Sequence, residues 1–367
     1  MPKIYELFGY PIDDRSSLVV ESRKNAFCPF MQVTCDGGGN RFMSDIDLEL
    51  HKELKEFFVG LSKVSSGICS IQLNDISQPW IICPRRLFYM GKKSDDEVLK
   101  GFVQSKILSK SGFSNGLNVG VWSELKIRYS DNENPADFDY AFDYVLMPLG
   151  RIKSTQAVRD SGIEWNLLQR ILQDNGYTFK DFNGDFYIED FPVGEPLIVE
   201  VMTSSTSGGN KKKRSCIPQA FEDCILGRTH LAPGINYRQV WARMASQLIV
   251  KSQAAIAWGG KTIWVLQDVL ADYITASTAL DLKKFISLHT DEVNILAFSY
   301  GDNYKLSVKG QTIPFKEPIL YSGSIRSNSE NNLKPCFQDI IMAAVCPPRR
   351  VLISALLKKT MLNRIKV

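Results

Sequence analysis

The sequence predicts an α/β protein. Runs rich in β-branched and aromatic residues recur from Val121 onward and are typical of strands. One long segment, residues 237–258, carries apolar residues at helical spacing. The resulting order of strand, strand, strand, helix and strand is that of an α/β core.

Four segments are predicted to be strands: VWSELKIRY (121–129), FDYAFDYVLM (138–147), EPLIVEVMT (195–203) and KTIWVLQDV (261–269). Between the third and the fourth, Val240, Met244, Leu248 and Ala255 fall near one face of the predicted helix, which indicates a core-facing stripe. A second, basic helix is predicted in RRVLISALLKKTMLNRI, residues 349–365.

Composition divides the chain into four parts. Residues 1–108 form an N-terminal region with four cysteines and many turns, and the Gly/Ser/Asn-rich residues 109–120 are predicted to be a linker. Residues 121–310 hold the predicted core, and residues 311–367 form a C-terminal extension with the basic helix.

The composition also limits where the protein works. No apolar run is long enough to span a membrane, and the N-terminus lacks the apolar core of a signal peptide. We therefore expect a cytoplasmic protein with no membrane partner, whose eight cysteines are thiols or metal ligands rather than disulfides.

Positive charge is concentrated although the net charge is only +4. Lys211, Lys212, Lys213 and Arg214 follow a flexible loop, and the residues from Pro348 onward contain six basic side chains and no acid. Such clusters can neutralise phosphates, which predicts nucleic-acid binding. Each cluster taken alone is also compatible with a solvated loop or helix face.

Three acidic residues stand in apolar, strand-like segments: Glu124, Asp143 and Glu200. An ionised carboxylate in an apolar setting is costly unless it is paired or bound to a metal. Oxygen ligands suit a hard divalent cation, so the three acids predict an Mg²⁺ site. The alternative is that each acid lies at a strand end, in water or in an ion pair.

Four cysteines in the N-terminal region suggest a second metal site. Cys28 and Cys83 each precede a proline, Cys35 precedes three glycines, and Cys69 lies in SSGICSI. Four thiolates suit tetrahedral zinc or iron. Because the spacing contains no CxxC pair, four buried apolar thiols remain the alternative. Cys216, Cys224, Cys336 and Cys346 show no ligand pattern and are predicted to be core thiols.

Beyond these patterns, the chain resembles the NotI-type type II restriction endonucleases. The resemblance is carried by ELFGYP, CPFMQ, SSGICSI and WIICPRRL, and then by SELKI, FDYAFDYVL, LIVEVMT and NYRQVWARMA, so it covers most of the first 270 residues with gaps. It implies a PD-(D/E)xK nuclease core, which is a mixed sheet flanked by helices, with Glu124, Asp143 and Glu200 in the active site. It also implies that Cys28, Cys35, Cys69 and Cys83 hold a structural iron.

The resemblance further implies a function: Mg²⁺-dependent hydrolysis of double-stranded DNA that leaves 5′-phosphate ends. Cleavage at a palindrome implies a homodimer with two-fold symmetry. Asp143 and Glu200 would bind Mg²⁺, with Glu124 helping to position it. The cysteine site would fix the N-terminal region so that Arg85 and Arg86 approach DNA, although either arginine could equally face solvent.

Two departures from the resembled family concern the predicted site. Met202 stands two residues after Glu200, where most of the superfamily has lysine and the NotI-type enzyme has glutamine. A thioether donates no proton and is a poor ligand for Mg²⁺. The candidates to replace it are Thr203, Ser204, Lys211 and Gln247. In addition, the insertion SDNENPAD predicts a longer turn between Glu124 and Asp143.

Met202 keeps a second function open. A catalytically weak or inactive DNA-binding protein that retains the nuclease fold would need no polar group at this position. A third possibility, a redox or metal sensor built on the cysteines, does not account for the three acids.

Overall fold

A computed structural model describes residues 1–38, 45–91, 101–130, 137–277, 282–325 and 347–366. The inserted residues 131–136 and Cys336 and Cys346 lie outside this part of the chain, so the predictions made for them are untested.

The N-terminal region is built from short strands and helices. Its strands are β1 (Lys3–Leu7), β2 (Tyr10–Pro11), β3 (Phe27–Cys28), β4 (Val33–Thr34), β5 (Asp45–Asp47), β6 (Lys63–Ser65), β7 (Ile68–Gln72) and β8 (Trp80–Ile81). Its helices are α1 (Ser17–Lys24), α2 (Lys52–Phe57), α3 (Pro84–Leu87) and α4 (Phe102–Ser109). One sheet has the order β2-β1-β7-β8, and β3–β4 and β5–β6 form two small ladders.

A nine-stranded sheet forms the centre of the described chain. Its strands are β9 (Asn118–Ser130), β10 (Asp137–Lys153), β11 (Phe179–Phe182), β12 (Asp185–Pro192), β13 (Leu197–Met202), β14 (Lys261–Gln267), β15 (Val293–Phe298), β16 (Ile319–Gly323) and β17 (Asn363–Lys366). The path is β11-β12-β10-β13-β14-β15-β16, with β9 paired to β10 and β17 paired to β9. The four predicted strands are therefore confirmed.

The remaining helices follow β10 in sequence. They are α5 (Ser154–Ser161), α6 (Trp165–Asp174), α7 (Ile217–Ile225), α8 (Tyr237–Ala257), α9 (Asp268–Ser277) and α10 (Arg349–Leu357). Two 3₁₀ turns cover Leu282–Phe285 and Asn303–Lys305. The long predicted helix is confirmed as α8, and the basic helix is shorter than predicted because the chain turns after α10 and enters β17.

Strand directions make the sheet mixed, as predicted. β10 runs antiparallel to both β9 and β13, whereas β13, β14 and β15 are parallel to one another. β13 is buried almost throughout, as expected of a strand covered on both faces. Its parallel neighbour β14 is reached through the crossover helix α8.

The two faces of the sheet have different covers. On one face, β13 packs against α8: Ile198 belongs to a cluster with Ala254, Ala255 and Trp258. On the other face, Val199 belongs to a cluster with residues of β8, α3 and α4. Because alternate residues of a strand point to opposite faces, Glu200 and Met202 lie on the α8 side with Ile198.

Both the N-terminal region and the C-terminal residues contact the large sheet. The N-terminal region packs directly on the large sheet, and the C-terminal residues add α10 and β17 to it. Of the predicted linker, residues 110–117 form a short connection between α4 and β9. Within the described residues, no helix is long and apolar enough to cross a membrane.

Candidate active site

The three acids of the sequence stand side by side on three neighbouring strands. In the β9–β10 ladder, Phe142 pairs with Leu125 and Tyr144 pairs with Ser123, which places Asp143 across from Glu124. In the β10–β13 ladder, Tyr144 pairs with Val199, so Glu200 lies on the other side of Asp143. The order Glu124, Asp143, Glu200 therefore crosses the sheet perpendicular to its strands.

Asp143 and Glu200 are bound to each other's strands. The backbone N–H of Val201 donates to Asp143 Oδ2 at 2.8 Å, and the N–H of Asp143 donates to Glu200 Oε1 at 3.4 Å. These contacts hold both carboxylates at the point where β10 and β13 separate. Asp143 is partly exposed and lines a pocket, whereas the side chain of Glu200 is only 2 % exposed.

Lys251 of α8 forms an ion pair with Glu200. Its Nζ donates to Glu200 Oε2 at 2.6 Å, and its side chain is only 4 % exposed. The ammonium group also lies 5.5 Å from the centre of the Phe142 ring. A buried ion pair of this kind is costly to form, so it points to a specific requirement at this position.

Burial raises the pKa of Glu200 to about 8. The positive charge of Lys251 lowers this pKa, and the negative charge of Asp143 raises it, so the desolvation of Glu200 outweighs its ion pair. Desolvation therefore favours the neutral form of this carboxyl group. A cation bound beside it would favour the charged form.

Glu124 adopts an unusual backbone conformation. Its φ is +49°, in the left-handed region that residues with a side chain rarely occupy. Lys359 Nζ donates to its carbonyl oxygen at 2.6 Å, which helps to hold the backbone in this conformation. Its carboxylate is exposed and lies 3.8 Å from an Arg85 Nη.

A pocket of 490 Å³ opens beside the acids. Glu124 and Asp143 line it together with two arginines, Arg85 of α3 and Arg243 of α8, and with Gln247. The remaining walls include Gly38, Pro84, Tyr89, Tyr144, Met202 and Thr203. The pocket therefore places carboxylates and guanidinium groups around one space, as the binding of a cation and a phosphate together requires.

Met202 lies at the edge of the pocket and is only 4 % exposed. It belongs to an apolar cluster with Met244 and Leu248 of α8 and Trp264 of β14. Met202 therefore contributes to the packing between β13 and α8.

The predicted replacements for Met202 differ in where the structure places them. Thr203 and Ser204 are buried, and the Thr203 hydroxyl donates to the Ile82 carbonyl. Lys211 is exposed in a turn, and Gln247 lines the pocket. The side chain that meets Glu200 is instead Lys251, one helical turn beyond Gln247.

Lys251 was missed by the sequence reasoning, although a signal was present. It lies three residues after Leu248 and four before Ala255, and so falls on the apolar stripe of α8. A lysine on such a stripe is rarely buried without a partner. The partner, Glu200, is 51 residues away in sequence, so only the fold identifies it.

The four N-terminal cysteines are neighbours in the fold. Cys28, Cys69 and Cys83 are buried, and Cys35 is partly buried. Cys83 interacts electrostatically with each of the other three thiols, and it also shares a hydrogen bond with Cys69. They come from the β3–β4 ladder, from β7 and from the residue before α3.

Backbone N–H groups point at several of these sulfur atoms. Gly9 donates to Cys69 Sγ at 3.3 Å, and Gly37 donates to Cys35 Sγ at 3.4 Å. Burial raises the pKa of Cys28 to about 11, while hydrogen bonds from Met31 and Phe30 lower it. These N–H donors favour the thiolate, but for Cys28 the effect of burial is larger, so its thiol form is favoured in the absence of a bound cation.

Among the described residues, no three His, Cys, Asp or Glu side chains stand in an arrangement that could hold a metal ion. The metal assignments of Cys28, Cys35, Cys69 and Cys83, and of Asp143 with Glu200, therefore stay predictions. Outside this cluster, Cys216 and Cys224 are buried free thiols, which confirms their expected place in the core.

The two predicted DNA-contacting arginines of α3 have different surroundings. Arg85 lines the pocket, its Nε donates to Asp36 Oδ2 at 3.0 Å, and its guanidinium lies 5.4 Å from the Tyr89 ring centre. Since Asp36 directly follows Cys35, this contact links the cysteine cluster to the pocket.

Arg86 is buried instead. Its Nε lies 2.9 Å from Glu6 Oε1, and an Nη donates to the Ile313 carbonyl at 2.7 Å. The rings of Phe30, Tyr300 and Phe315 lie 4.6–4.9 Å from its guanidinium. A contact with DNA would require Arg86 to leave this environment, so in this structure its role is to join the N-terminal region to the core.

The four residues of the predicted basic loop also have different surroundings. Lys211, Lys212 and Lys213 are exposed in a turn. Arg214 instead binds α7, donating to both carboxylate oxygens of Asp223 and to Glu222, each at 2.8 Å. The three lysines are therefore presented to solvent, while Arg214 anchors the turn that carries them.

Comparisons with known proteins do not assign a function to this chain. No family model matches the chain, and no curated protein is significantly similar to it. The fold is that of a mixed α/β protein. A pocket lined by acidic and basic side chains lies at the junction of β9, β10 and β13.

Proposed function

We propose that this protein is a type II restriction endonuclease, which hydrolyses double-stranded DNA at a specific site with Mg²⁺ and leaves 5′-phosphate ends. The observation that carries the proposal is the row of Glu124, Asp143 and Glu200 on adjacent strands, with Lys251 bound to Glu200. The elements β9, β10, β13, α8 and β14 follow one another in this order, with α5, α6, β11, β12 and α7 between them, and this order agrees with the predicted α/β core.

The donor set suits the proposed metal. Asp143 Oδ2 accepts from a backbone N–H, which leaves its second oxygen for a ligand, and Glu200 Oε1 has only a long hydrogen bond. These oxygens would hold Mg²⁺, which prefers carboxylates and water. When bound, Mg²⁺ would lower the pKa of a water molecule and stabilise negative charge on the phosphate.

The protein's own residues would orient the reactants. Water would attack phosphorus and the bond between phosphorus and the 3′ oxygen would break. The attacking water would lose a proton to solvent, and the departing 3′ oxygen would take up a proton from solvent to become a 3′-hydroxyl. Lys251 is the candidate to orient this water and to keep Glu200 ionised, because Met202 can do neither. Arg85 and Arg243 would bind phosphate oxygens, for which the planar guanidinium is suited.

The first test is cleavage of mixed plasmid DNA in Mg²⁺. Asp143→Asn and Glu200→Gln should each lower the rate by about a thousandfold or more, since a metal ion contributes several kcal/mol of charge stabilisation. Binding of duplex DNA without Mg²⁺ should persist or tighten in both variants, because negative charge near phosphate is removed. The matched control is Asp174→Asn, an acid at the end of α6.

Full activity of the Asp143 or Glu200 variant would refute the active-site assignment. If the wild-type protein binds DNA but cleaves none, the second candidate is favoured, namely a DNA-binding protein with a decayed site. The observation behind that candidate is the buried Met202 in place of a polar residue.

We also propose that Cys28, Cys35, Cys69 and Cys83 bind one structural iron or zinc ion, because the four thiols adjoin one another in the fold. Metal analysis of the purified protein should give about one such ion per chain. Cys83→Ser should lose the ion and lower the melting temperature, since binding energy of a structural metal is folding energy. Cys216→Ser, at a buried cysteine outside the cluster, is the control and should keep the metal.

Wild-type protein that is folded and active without bound iron or zinc would refute the proposed cysteine metal site. The nuclease proposal would not be affected. A homodimer belongs to the nuclease proposal, since cutting both strands at a palindrome needs two copies of the site. Sedimentation with and without duplex DNA tests it.

A further inference from the structure

A second cavity lies next to the candidate active site. It has a volume of 440 Å³ and runs between β9 and α10. Its walls are residues 124–128 of β9 on one side, and Val351, Ser354, Ala355, Lys358 and Lys359 on the other. We refer to it as the β9–α10 groove.

The groove continues from the active-site pocket. Glu124 lines both cavities, so the two meet at this residue. Lys359 reaches across the junction and donates to the Glu124 carbonyl at 2.6 Å. A chain bound with one phosphate at Asp143 would therefore meet the groove as it leaves the pocket.

The local fold explains why the groove is basic. Leu125 and Ile127 of β9 point into the core, so the alternate residues Lys126 and Arg128 point outward. Two such positions are about 7 Å apart along a strand. That distance spans about two phosphates of one DNA strand along the helix axis.

On the opposite wall, Leu352, Ile353, Leu356 and Leu357 of α10 are buried in the core of the sheet. The same helix turns its small residues Ser354 and Ala355 to the groove, which keeps it open, and Lys358 follows at its end. Four cations thus border the groove: Lys126, Arg128, Lys358 and Lys359.

Two acids accompany these cations. Glu124 faces Arg85. Asp139 lies 3.2 Å from Lys126 and 3.4 Å from Arg128, but its side chain is 49 % exposed and those of the two cations are 52 % and 73 % exposed. Exposed pairs of this kind are weak, so a phosphate can replace Asp139 as the partner of both cations.

We infer that the β9–α10 groove binds the sugar-phosphate backbone of duplex DNA beside the scissile phosphate, through Lys126, Arg128, Lys358 and Lys359. This inference rests on the proposed nuclease function for the identity of the bound chain. It adds the direction in which the DNA leaves the site, and it gives the basic C-terminal residues a place beside the acids.

The test measures duplex binding against salt in the Asp143→Asn background, so that bound DNA stays intact. Lys126→Gln, Arg128→Gln and Lys358→Gln together should reduce the slope of log affinity against log salt by about 2 to 3, because each phosphate contact contributes about 0.9. Lys284→Gln with Lys309→Gln, at exposed positions away from the groove, is the matched control and should leave the slope unchanged.

A second variant works in the opposite direction. Asp139→Asn removes the competing carboxylate and should tighten binding about two- to fivefold at low salt, the range set by an exposed ion pair. A gain in affinity cannot result from misfolding. Replacing Lys211, Lys212 and Lys213 in the same titration shows separately whether the exposed loop adds contacts.

The outcomes separate the two proposals. If the slope falls as expected while the wild type fails to cleave, the groove stands and the nuclease proposal fails. If the wild type cleaves but the groove variants keep its slope and Asp139→Asn gains nothing, the groove assignment is overturned alone. Absence of duplex binding, or groove-dependent binding of single-stranded RNA in preference to duplex DNA, also overturns it.

Discussion

Under the proposed function, Lys251 supplies the cation that Met202 cannot. The strand position two residues after Glu200 is filled by Met202, which packs against α8. A buried ammonium then reaches Glu200 from α8 itself. Both positions lie on the α8 side of β13, so a cation from either can meet the same carboxylate.

At the residue scale, Lys251→Met should lower cleavage by about a hundredfold or more and destabilise the protein by about 1–3 kcal/mol, because Glu200 loses a buried partner. The loss is below the range of about 3–5 kcal/mol for a broken buried pair, since Glu200, with a pKa near 8, can take up a proton. Stopped-flow cleavage and urea denaturation measure the two effects.

The double variant Lys251→Met/Glu200→Gln sharpens this prediction. Removing both charges should recover most of the stability, because a buried ion pair contributes little net free energy, but it should not recover cleavage. Ser246→Ala, at an exposed position of the same helix, is the control. Wild-type cleavage by Lys251→Met would exclude a role of this lysine in the reaction.

At the scale of elements, the short helix α3 connects three parts of the molecule. Cys83 precedes it, Arg85 extends into the pocket, and Arg86 enters the core. Glu6 Oε2 accepts hydrogen bonds from Ser70 and Tyr300, both at 2.7 Å, while its other oxygen meets Arg86. Two successive arginines thus have opposite roles that their sequence alone does not distinguish.

This contrast gives a paired prediction. Arg86→Met should destabilise the protein by about 3–5 kcal/mol, because it leaves the Glu6 carboxylate buried without its cation. Arg85→Met should change stability by about 0.5 kcal/mol or less but weaken DNA binding, since its partners are partly exposed. Urea denaturation and a binding titration on both variants test the pair. The reverse pattern of stabilities would contradict the assignment.

The predictable part of the fold ends at the level of single elements. The segments 121–129, 138–147 and 261–269 could be assigned as strands because β-branched and aromatic residues recur in them. Their order in the sheet could not be read, because pairing depends on packing between distant segments. The three acids could be identified in the sequence. Their arrangement in a row could not, because it depends on the order of the strands in the sheet.

At the scale of the whole molecule, the N-terminal region and the core are parts of one packed structure. Ile81 donates its backbone N–H to the buried side chain of Gln267 at 2.8 Å, and Gln267 donates in turn to the Pro79 carbonyl at 2.7 Å. Helix α7 belongs to the apolar cluster of the N-terminal sheet although it follows β13 in sequence. Composition predicted a boundary near residue 108 because it does not report such long-range contacts.

His230 is a further link of this kind, and it makes stability depend on pH. Its Nε2 accepts the N–H of Ile4 at 3.1 Å, which requires that nitrogen to be unprotonated. Burial lowers the pKa of His230 below its ordinary value of about 6.5. The unfolded chain therefore binds a proton at a higher pH than the folded protein does, and the contact stabilises the fold fully only above about pH 6.5.

We accordingly expect the free energy of unfolding to fall as the pH is lowered from about 6.5 through the lower pKa of folded His230, with a slope of at most about 1.4 kcal/mol per pH unit from this group. His230→Gln can still accept the Ile4 N–H but does not titrate, so it should lose this component. The difference between urea denaturation curves of the two proteins from pH 8 to pH 5 cancels the other titrating groups. A difference that stays constant with pH would show that His230 does not couple protonation to the link between the N-terminal sheet and the rest of the molecule.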